Sequence, residues 1–504
     1  MKKDYPKILT IFVIFILFFS TVYISEVTPF EGNKNNLKNS IKNDTSTIYF
    51  SSFNKENRII YPRSSCPEII EKNDNFTIIF QIKKLTKIED IEIGISTAYK
   101  TLEEKYFLPI LDTHKNNSRW NIKVKITSEI PEELYNLTIS ILSKNKKYKL
   151  SCCRGIKVVD EITDDFTFIH LTDFHIGDPR GLKENFKQTL GNKAAKKCLK
   201  EINLLKPDFV IITGDLVFGQ LYPFEYSIEY KKFYNILQDF KVPTFLCPGN
   251  HDGYFQTFQD GFNFWNRYFG PLYYSFNYGD SHLTMINSYD WNLLQRTGFF
   301  YVVLNWGGSI QEDQLRWIEN DLNRTQSNLK MIFMHHNPLW NTKKHSLLRN
   351  DYQNRKKILS LIEEYNVDAV FSGHVHYDNV TTENDTMYIT TTTASSSLKE
   401  DAYWGYRYVE VKNGTIESVN YKEPKYSISS YRINYSYIND NKAFIENDLE
   451  KNITAHLSFV LPNEEYYVEN GEIYNTRIKN NKKEVYVRAE VPANSNLTVE
   501  LLSK

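Results

Sequence analysis

Five apolar runs of this chain each stop at side chains able to bind a cation, and that pattern constrains the fold more than any other feature of the sequence. Phe166 to Leu171 leads into Asp173 and His175; Phe209 to Thr213 into Gly214-Asp215; Val242 to Cys247 into Gly249-Asn250-His251-Asp252; Leu329 to Met334 into His335-His336-Asn337-Pro338; and Val367 to Phe371 into Gly373-His374-Val375-His376. Helical stretches alternate with these runs from Phe166 to about Asn420, the rhythm of a layered α/β domain. In open parallel sheets, binding sites form beyond the carboxyl ends of the strands, where residues distant in sequence meet.

Each ending has its own chemistry. Asp173 and His175 stand two apart, which in extended backbone puts both side chains on one face. Gly214 allows close backbone approach, and the two oxygens of Asp215 suit it to bridge two ions. Asn250 can ligate through its amide oxygen without adding charge, which leaves His251 to reach a substrate. Pro338 restricts the backbone after the His335-His336 doublet, but periodicity leaves open which imidazole turns inward. His374 and His376, following Gly373, make a further convergent pair suited to manganese, iron or zinc. Any one of these endings is an ordinary turn, whereas the whole constellation describes a metal centre.

Through Asp173-Phe-His175, Gly214-Asp215, Gly249-Asn250-His251-Asp252, His336-Asn-Pro338 and Gly373-His374-Val-His376, in that order, the chain resembles the calcineurin-like metallophosphoesterase superfamily over roughly residues 164–420. Phe276-Asn-Tyr-Gly279 and Gln314-Leu-Arg-Trp317 are similar to its central strand and helix. The resemblance implies an α/β fold, a four-layer sandwich of two β sheets flanked by helices, and hydrolysis of phosphomonoesters, phosphodiesters or pyrophosphate bonds. It implies that Asp173, His175, Asp215 and His376 hold one metal and that Asp215, Asn250, His336 and His374 hold the second, with Asp215 as the bridge. The His-x-Pro spacing favours His336, with His335 as the substitute.

Two ions about 3.5–4 Å apart can activate a water and neutralise charge during in-line attack, so no covalent enzyme intermediate is needed. His251 then stabilises charge or protonates the leaving oxygen, and Asp252 either orients it or caps the following segment. Purple acid phosphatases carry a tyrosine ligand three residues after the Gly-Asp aspartate; Phe218 stands there, and without an oxygen it rules against a tyrosinate-ligated centre.

The remaining sequence flanks this stretch. Lys2, Lys3 and Lys7 precede an apolar run over residues 8–24, read as a single N-terminal membrane span with the catalytic domain outside, or else as the signal of a secreted chain. The expected organisation is an anchor or signal over 1–27, a polar linker over 28–48, an accessory β-sandwich over 49–160, the catalytic domain over 161–425 and a small β module over 426–504. Five cysteines are too few for a disulfide scaffold, although a bridge from Cys66 to Cys152 or Cys153 is chemically permitted outside the cytosol. Lys plus Arg equals Asp plus Glu at 61 each, so net charge gives no reason to expect a nucleic-acid partner.

The sequence therefore points to a dinuclear metal-dependent hydrolase of extracellular phosphate esters, tied to the membrane by its N-terminal segment and reaching a cell-surface partner through its β modules. The alternative is a metal-stabilised surface recognition or adhesion protein with little turnover; only the hydrolase should lose turnover on replacement of His251 while keeping its metals.

Overall fold

Strands covered on both faces read as continuous apolar runs, because neither face is left to water. That rule accounts for the middle of the molecule. The computed structural model describes residues 47–504 apart from 84, 99–102, 179–189, 221–223, 257, 300–301, 341–350, 397–402 and 419–431. Its central strands are β1 (Phe166–Leu171), β2 (Phe209–Thr213), β3 (Thr244–Cys247), β4 (Tyr274–Tyr278), β5 (Ser281–Met285), β6 (Leu329–Phe333), β7 (Ala369–Ser372), β8 (Asn379–Glu383), β9 (Thr386–Thr390), β10 (Arg407–Lys412) and β11 (Thr415–Ser418). The helices among them are α1 (Leu190–Leu205), α2 (Glu225–Gln238), α3 (Asn250–Gly253), α4 (Gly261–Tyr268), α5 (Glu312–Arg324) and α6 (Arg355–Glu364).

The strands form two mixed sheets, one ordered β3-β2-β1-β10-β11 and the other β4-β5-β6-β7-β9-β8. In the first, β1, β2 and β3 are parallel and β10 runs against β1; in the second, β5, β6, β7 and β9 are parallel. Alternate residues of the two sheets, among them Phe168, Phe209, Phe333, Phe371 and Val409, meet in one buried cluster. The opposite faces carry Ile169, Ile212 and Leu246 against residues of α1 and α2, and Ile332 and Val370 against residues of α5 and α6. All five runs that end in polar groups belong to the parallel parts of these sheets, so their carboxyl ends lie together.

Two further β regions flank the centre. The N-terminal one has one sheet built on Lys146–Val159, Glu133–Ser143 and Asp90–Thr97 and another on Asn57–Tyr61, Asn75–Ile82, Arg119–Lys125 and Ile110–Asn116. Ile78, Phe80, Ile122, Val124, Ile139 and Ile141 fill the space between them. Arg154, 2% exposed, fastens this region to the centre by donating to the carbonyls of Phe240 and Val242. The C-terminal region alternates strictly along Ile453–Pro462, placing Ala455, Leu457 and Phe459 in a core continuous with the helix side of the first sheet. Lys197 and Lys200 of α1 donate to the carbonyls of Ile433 and Tyr435 and hold it there.

Two expectations are corrected. Among the described residues no helix is long and apolar enough to cross a membrane, so the single N-terminal span is set aside; residues 8–24, on which it rested, lie outside the described residues. All five cysteines are free thiols, four of them buried, and the permitted bridge from Cys66 to Cys152 or Cys153 is not formed.

Candidate metal centre

Asp173 and His175 lie in the turn after β1, and they converge for a reason other than strand alternation. The strand ends at Leu171, and Asp173 and His175 both take left-handed backbone, with φ of 55° and 46°. Asp215 (51°), His374 (74°) and His376 (64°) do the same. A non-glycine residue held there costs about 1 kcal/mol or more, and such strain persists only where the surroundings enforce it. Here they do: the Asp173 N–H donates to the Gly214 carbonyl at 3.1 Å, the His175 N–H to the Asp215 carbonyl at 2.9 Å, and the Thr393 hydroxyl to the Asp173 carbonyl at 2.6 Å. The turns also touch without intervening side chains. A Cβ on Gly214, itself at φ +85°, would lie 2.2 Å from the Gly249 nitrogen.

The two carboxylates form the centre of the cluster. Asp173 is 0% and Asp215 1% exposed. Asp173 Oδ1 lies 3.3 Å from His175 Nε2 and 3.2 Å from His376 Nε2. Asp215 Oδ2 lies 3.2 Å from His175 Nε2, 3.1 Å from His335 Nε2 and 4.0 Å from His251 Nε2. The remaining oxygens are held by the backbone: Asp173 Oδ2 accepts from the His374 N–H and the Thr172 hydroxyl, and Asp215 Oδ1 from the His251 N–H. Asn250 directs its amide nitrogen to the Tyr254 hydroxyl, so its amide oxygen faces His374 Nδ1 at 3.1 Å.

Electrostatics follow from this crowding. Burial pushes both carboxyls up, but the imidazoles of His376 and His335 beside Asp173, and of His335 and His251 beside Asp215, hold both well below the ordinary carboxylate range. Burial opposes a charge on His175 and His335, yet the two carboxylates raise them to about 10 and about 9. Buried anions ringed by imidazole nitrogens and an amide oxygen are a donor set that divalent ions take, and the residues present fit two of them. Among the described residues, four groups of three place their ligand atoms within 4.8 Å of one another: His335, His336 and His374; Asp173, His175 and His376; His175, Asp215 and His251; and Asp173, Asp215 and His335.

The histidine doublet divides its duties. His335, the first residue past the carboxyl end of the strand run, donates from Nδ1 to the Thr213 carbonyl at 2.7 Å and turns Nε2 to the carboxylates. His336, expected as the ligand, has Nδ1 2.9 Å from the Ser288 hydroxyl and Nε2 3.0 Å from the Trp306 carbonyl. Burial and the neighbouring His335 push it down to about 3. Its ring remains beside that of His374, 4.5 Å between centroids.

His251 and Asp252 also separate. His251 is 9% exposed and donates from Nδ1 to the Phe218 carbonyl at 2.5 Å, which leaves Nε2 toward the carboxylates. Asp252 is fully buried and accepts from the N–H groups of Gly249 (2.9 Å), Leu216 (2.9 Å) and Val217 (3.3 Å). It is a clasp between two ligand-bearing turns. Helix α2 supports the same segment: the Tyr226 hydroxyl donates to the His251 carbonyl, the Tyr230 hydroxyl to the Asp252 carbonyl, and Glu229 Oε2 accepts from the Gly219 N–H. Sequence reasoning did not single out these residues, nor Ser288, Thr213 and His170, because ordinary strand and helix positions give them no local signature.

Several large aromatic side chains between Tyr254 and Tyr406 belong to the core rather than to a substrate rim. Tyr254, Trp265, Trp291 and Tyr406 are buried, and the Trp291 indole donates to the Gly307 carbonyl. His282 sits between Asn277 and Asp321, and Arg296 binds Asp260 and the carbonyls of Gly253 and Trp291, so both are structural. His345 and Arg180 lie outside the described residues.

Residues 166–378 match the family model described as calcineurin-like phosphoesterase. The chain is 27% identical over 236 residues to a probable glycerophosphodiester phosphodiesterase of Arcobacter nitrofigilis, covering 46% of this chain and 80% of that one. It is 23% identical over 232 residues to a probable cyclic nucleotide phosphodiesterase of Fibrobacter succinogenes, covering 44% and 78%. A shorter match, 28% identical over 156 residues, is to acid phosphatase type 7 of Mus musculus and covers 27% of this chain and 32% of that relative.

Proposed function

We propose that this metal-dependent phosphoesterase, with its calcineurin-like phosphoesterase domain over residues 166–378, hydrolyses phosphodiesters using two bound divalent ions. The observation that carries the reading is the setting of Asp215, whose Oδ2 faces His175 Nε2 at 3.2 Å and His335 Nε2 at 3.1 Å. A carboxylate so placed would serve both ions. Asp173, His175, Asp215 and His376 would hold one ion, and Asp215, Asn250, His374 and His335 the other, with His335 taking the place expected of His336. Manganese, iron and zinc all suit this mixture of carboxylate, amide oxygen and imidazole.

When bound, the ions lower the pKa of a water and neutralise charge on the phosphoryl group. The chain supplies the rest. The Phe218 carbonyl fixes the proton of His251 on Nδ1, so Nε2 is the atom that carries a proton to the leaving oxygen. Asp252 acts through the backbone alone, holding the Asp215 and Asn250 turns at their spacing. Two relatives named as diesterases, each aligned over more than three quarters of its own length, support a diester over a monoester.

The test compares initial rates on bis(p-nitrophenyl) phosphate and p-nitrophenyl phosphate with added manganese, for the unmodified protein and His251→Ala. The expected result is manganese-dependent hydrolysis, at least about tenfold faster on the diester. In His251→Ala kcat should fall by about 10²-fold or more while manganese content is unchanged. A metal-loaded protein that turns over neither ester, or a His251→Ala variant as fast as the parent, would sink the reading. The first result would favour the recognition protein.

A further inference from the structure

Behind the candidate ligands runs a buried chain of polar groups that the hydrolytic reading does not use. Arg407, on β10, and Asp378, two residues past His376, form an ion pair at 2.6 Å with side chains 2% and 8% exposed. Asp378 Oδ1 also accepts from the Thr392 N–H at 3.1 Å, and the Thr392 hydroxyl, which donates to the Tyr403 carbonyl at 2.7 Å, lies 3.3 Å from the His376 carbonyl. Arg407 further donates from Nη2 to the Thr390 carbonyl and from Nε to the Thr391 hydroxyl. The Thr391 hydroxyl, 2.7 Å from His170 Nδ1, therefore gives its own proton to that nitrogen, and His170 Nε2 donates to the Thr213 hydroxyl at 2.8 Å. Thr213 is the residue whose carbonyl receives the His335 Nδ1 proton.

The chain thus starts at the turn bearing His374 and His376, crosses from the second sheet to the first, and ends at the residue that orients His335. Every member named is buried or nearly so, and although Asp378 Oδ2 has no hydrogen-bond partner, the links the network does make are stiff, because breaking one leaves a further unsatisfied group in a low-dielectric interior. The turn it restrains has left-handed φ at both His374 and His376, so it needs external restraint to stay as it is.

We propose that Arg407, acting through Asp378 on one side and through Thr391, His170 and Thr213 on the other, is a positioning residue that sets the spacing between the His374–His376 turn and His335, and with it the affinity for metal. The proposal rests on the dinuclear reading above. It treats Arg407 as part of the support for the ligands rather than as a group that meets substrate.

The test is a double-mutant cycle on the full chain with Arg407→Met, Asp378→Asn and the two combined, reading manganese affinity by titration calorimetry, manganese per chain by atomic emission, and thermal midpoint. Each single change leaves a buried partner unpaired, whereas the double change removes both charges. The expected result is that the thermal midpoint recovers in the double variant relative to the weaker single one. Affinity for at least one ion should stay about 10- to 100-fold below the parent in all three, the range found when groups supporting ligands are removed. Arg407→Lys, which keeps the charge but not the fork, should restore affinity only in part. Recovery of affinity together with the midpoint, or parental affinity in Arg407→Met, would overturn the proposal and leave the pair as a stabilising contact. A parent chain that binds two ions without turning over either ester overturns the hydrolase reading yet leaves this cycle readable; a parent that binds none overturns both.

Discussion

The two ends of the central sandwich both gather acids, and only one of them surrounds buried carboxylates with imidazoles. At the carboxyl ends of the parallel strands, Asp173 and Asp215 are buried and face imidazole nitrogens. At the opposite end, Asp164, Asp165 and Asp280 surround a cavity of about 600 Å³ with Thr163, Asn328, Asn413 and Gly414. There the carboxylates serve the turns. Asp164 Oδ1 accepts from the Asp280 N–H at 2.8 Å, Asp165 Oδ1 from the Asn413 N–H at 2.7 Å, and Asp280 pairs with the Asn328 amide. A group of acids is therefore not itself a site. What separates the ends is burial, the presence of imidazoles, and strained backbone that keeps carboxylate oxygens aimed at one another's ligands.

The largest expected contrast comes from one substitution at each end. Asp215→Asn should lower phosphodiester turnover by about 10³-fold or more and remove bound manganese, because both ions lose their shared ligand. Asp280→Asn should stay within about twofold of the parent, and comparable losses from both would erase the distinction. Within the imidazole-lined end, His335→Ala should lose close to one manganese per chain and about 10²-fold in kcat, whereas His336→Ala should keep both ions. The reverse outcome, read by atomic emission, would restore His336 to the ligand role.

Asp252→Asn, which replaces one of two buried oxygens accepting from three backbone N–H groups with an amide nitrogen, should lower unfolding free energy by about 2 kcal/mol in urea titration. Asp164→Asn, with one such bond at an exposed turn, should cost about 0.5 kcal/mol.

A pH dependence of intermediate size belongs to neither end. His456, in the C-terminal β region, is pushed down to about 3 by burial and by Lys206 and Arg488. Its unfolded value is near 6.5, so between those values the unfolded chain binds the extra proton and stability falls as pH falls. At pH 5.5 the loss should be about 1 kcal/mol, visible as a thermal midpoint that drops more steeply with acid in the parent than in His456→Gln. Equal slopes would assign the acid sensitivity to the carboxylate–imidazole cluster instead.

Much of the centre was legible because its residues stand where strands stop. Asp173, His175, Asp215, Asn250, His374 and His376 follow apolar runs, and a polar group just past a buried strand has few other reasons to be there. The doublet was less legible. His-x-Pro spacing favours His336, but the direction of a side chain at a strand end depends on where the strand's last hydrogen bond falls, and the Met334 N–H is still paired with the Phe371 carbonyl. His335 keeps its carbonyl paired with the Gly373 N–H while its own N–H turns to the Ser288 hydroxyl, and its ring is the one turned inward. In the sequence Asp252 is open between orienting His251 and capping the following segment, and only the adjacency of the Gly214 and Gly249 turns shows it to be the clasp between them.

By itself the sequence determined the strand runs, the α/β alternation and the types of group gathered at one edge, because apolar periodicity and the chemistry of carboxylate and imidazole are local properties. The tertiary structure alone decided which imidazole meets Asp215, why Asp173 and His175 converge without being extended, and that Arg407 braces a turn 29 residues before it in the chain. Those facts depend on backbone angles and on contacts across two sheets, and both are set only when distant segments pack.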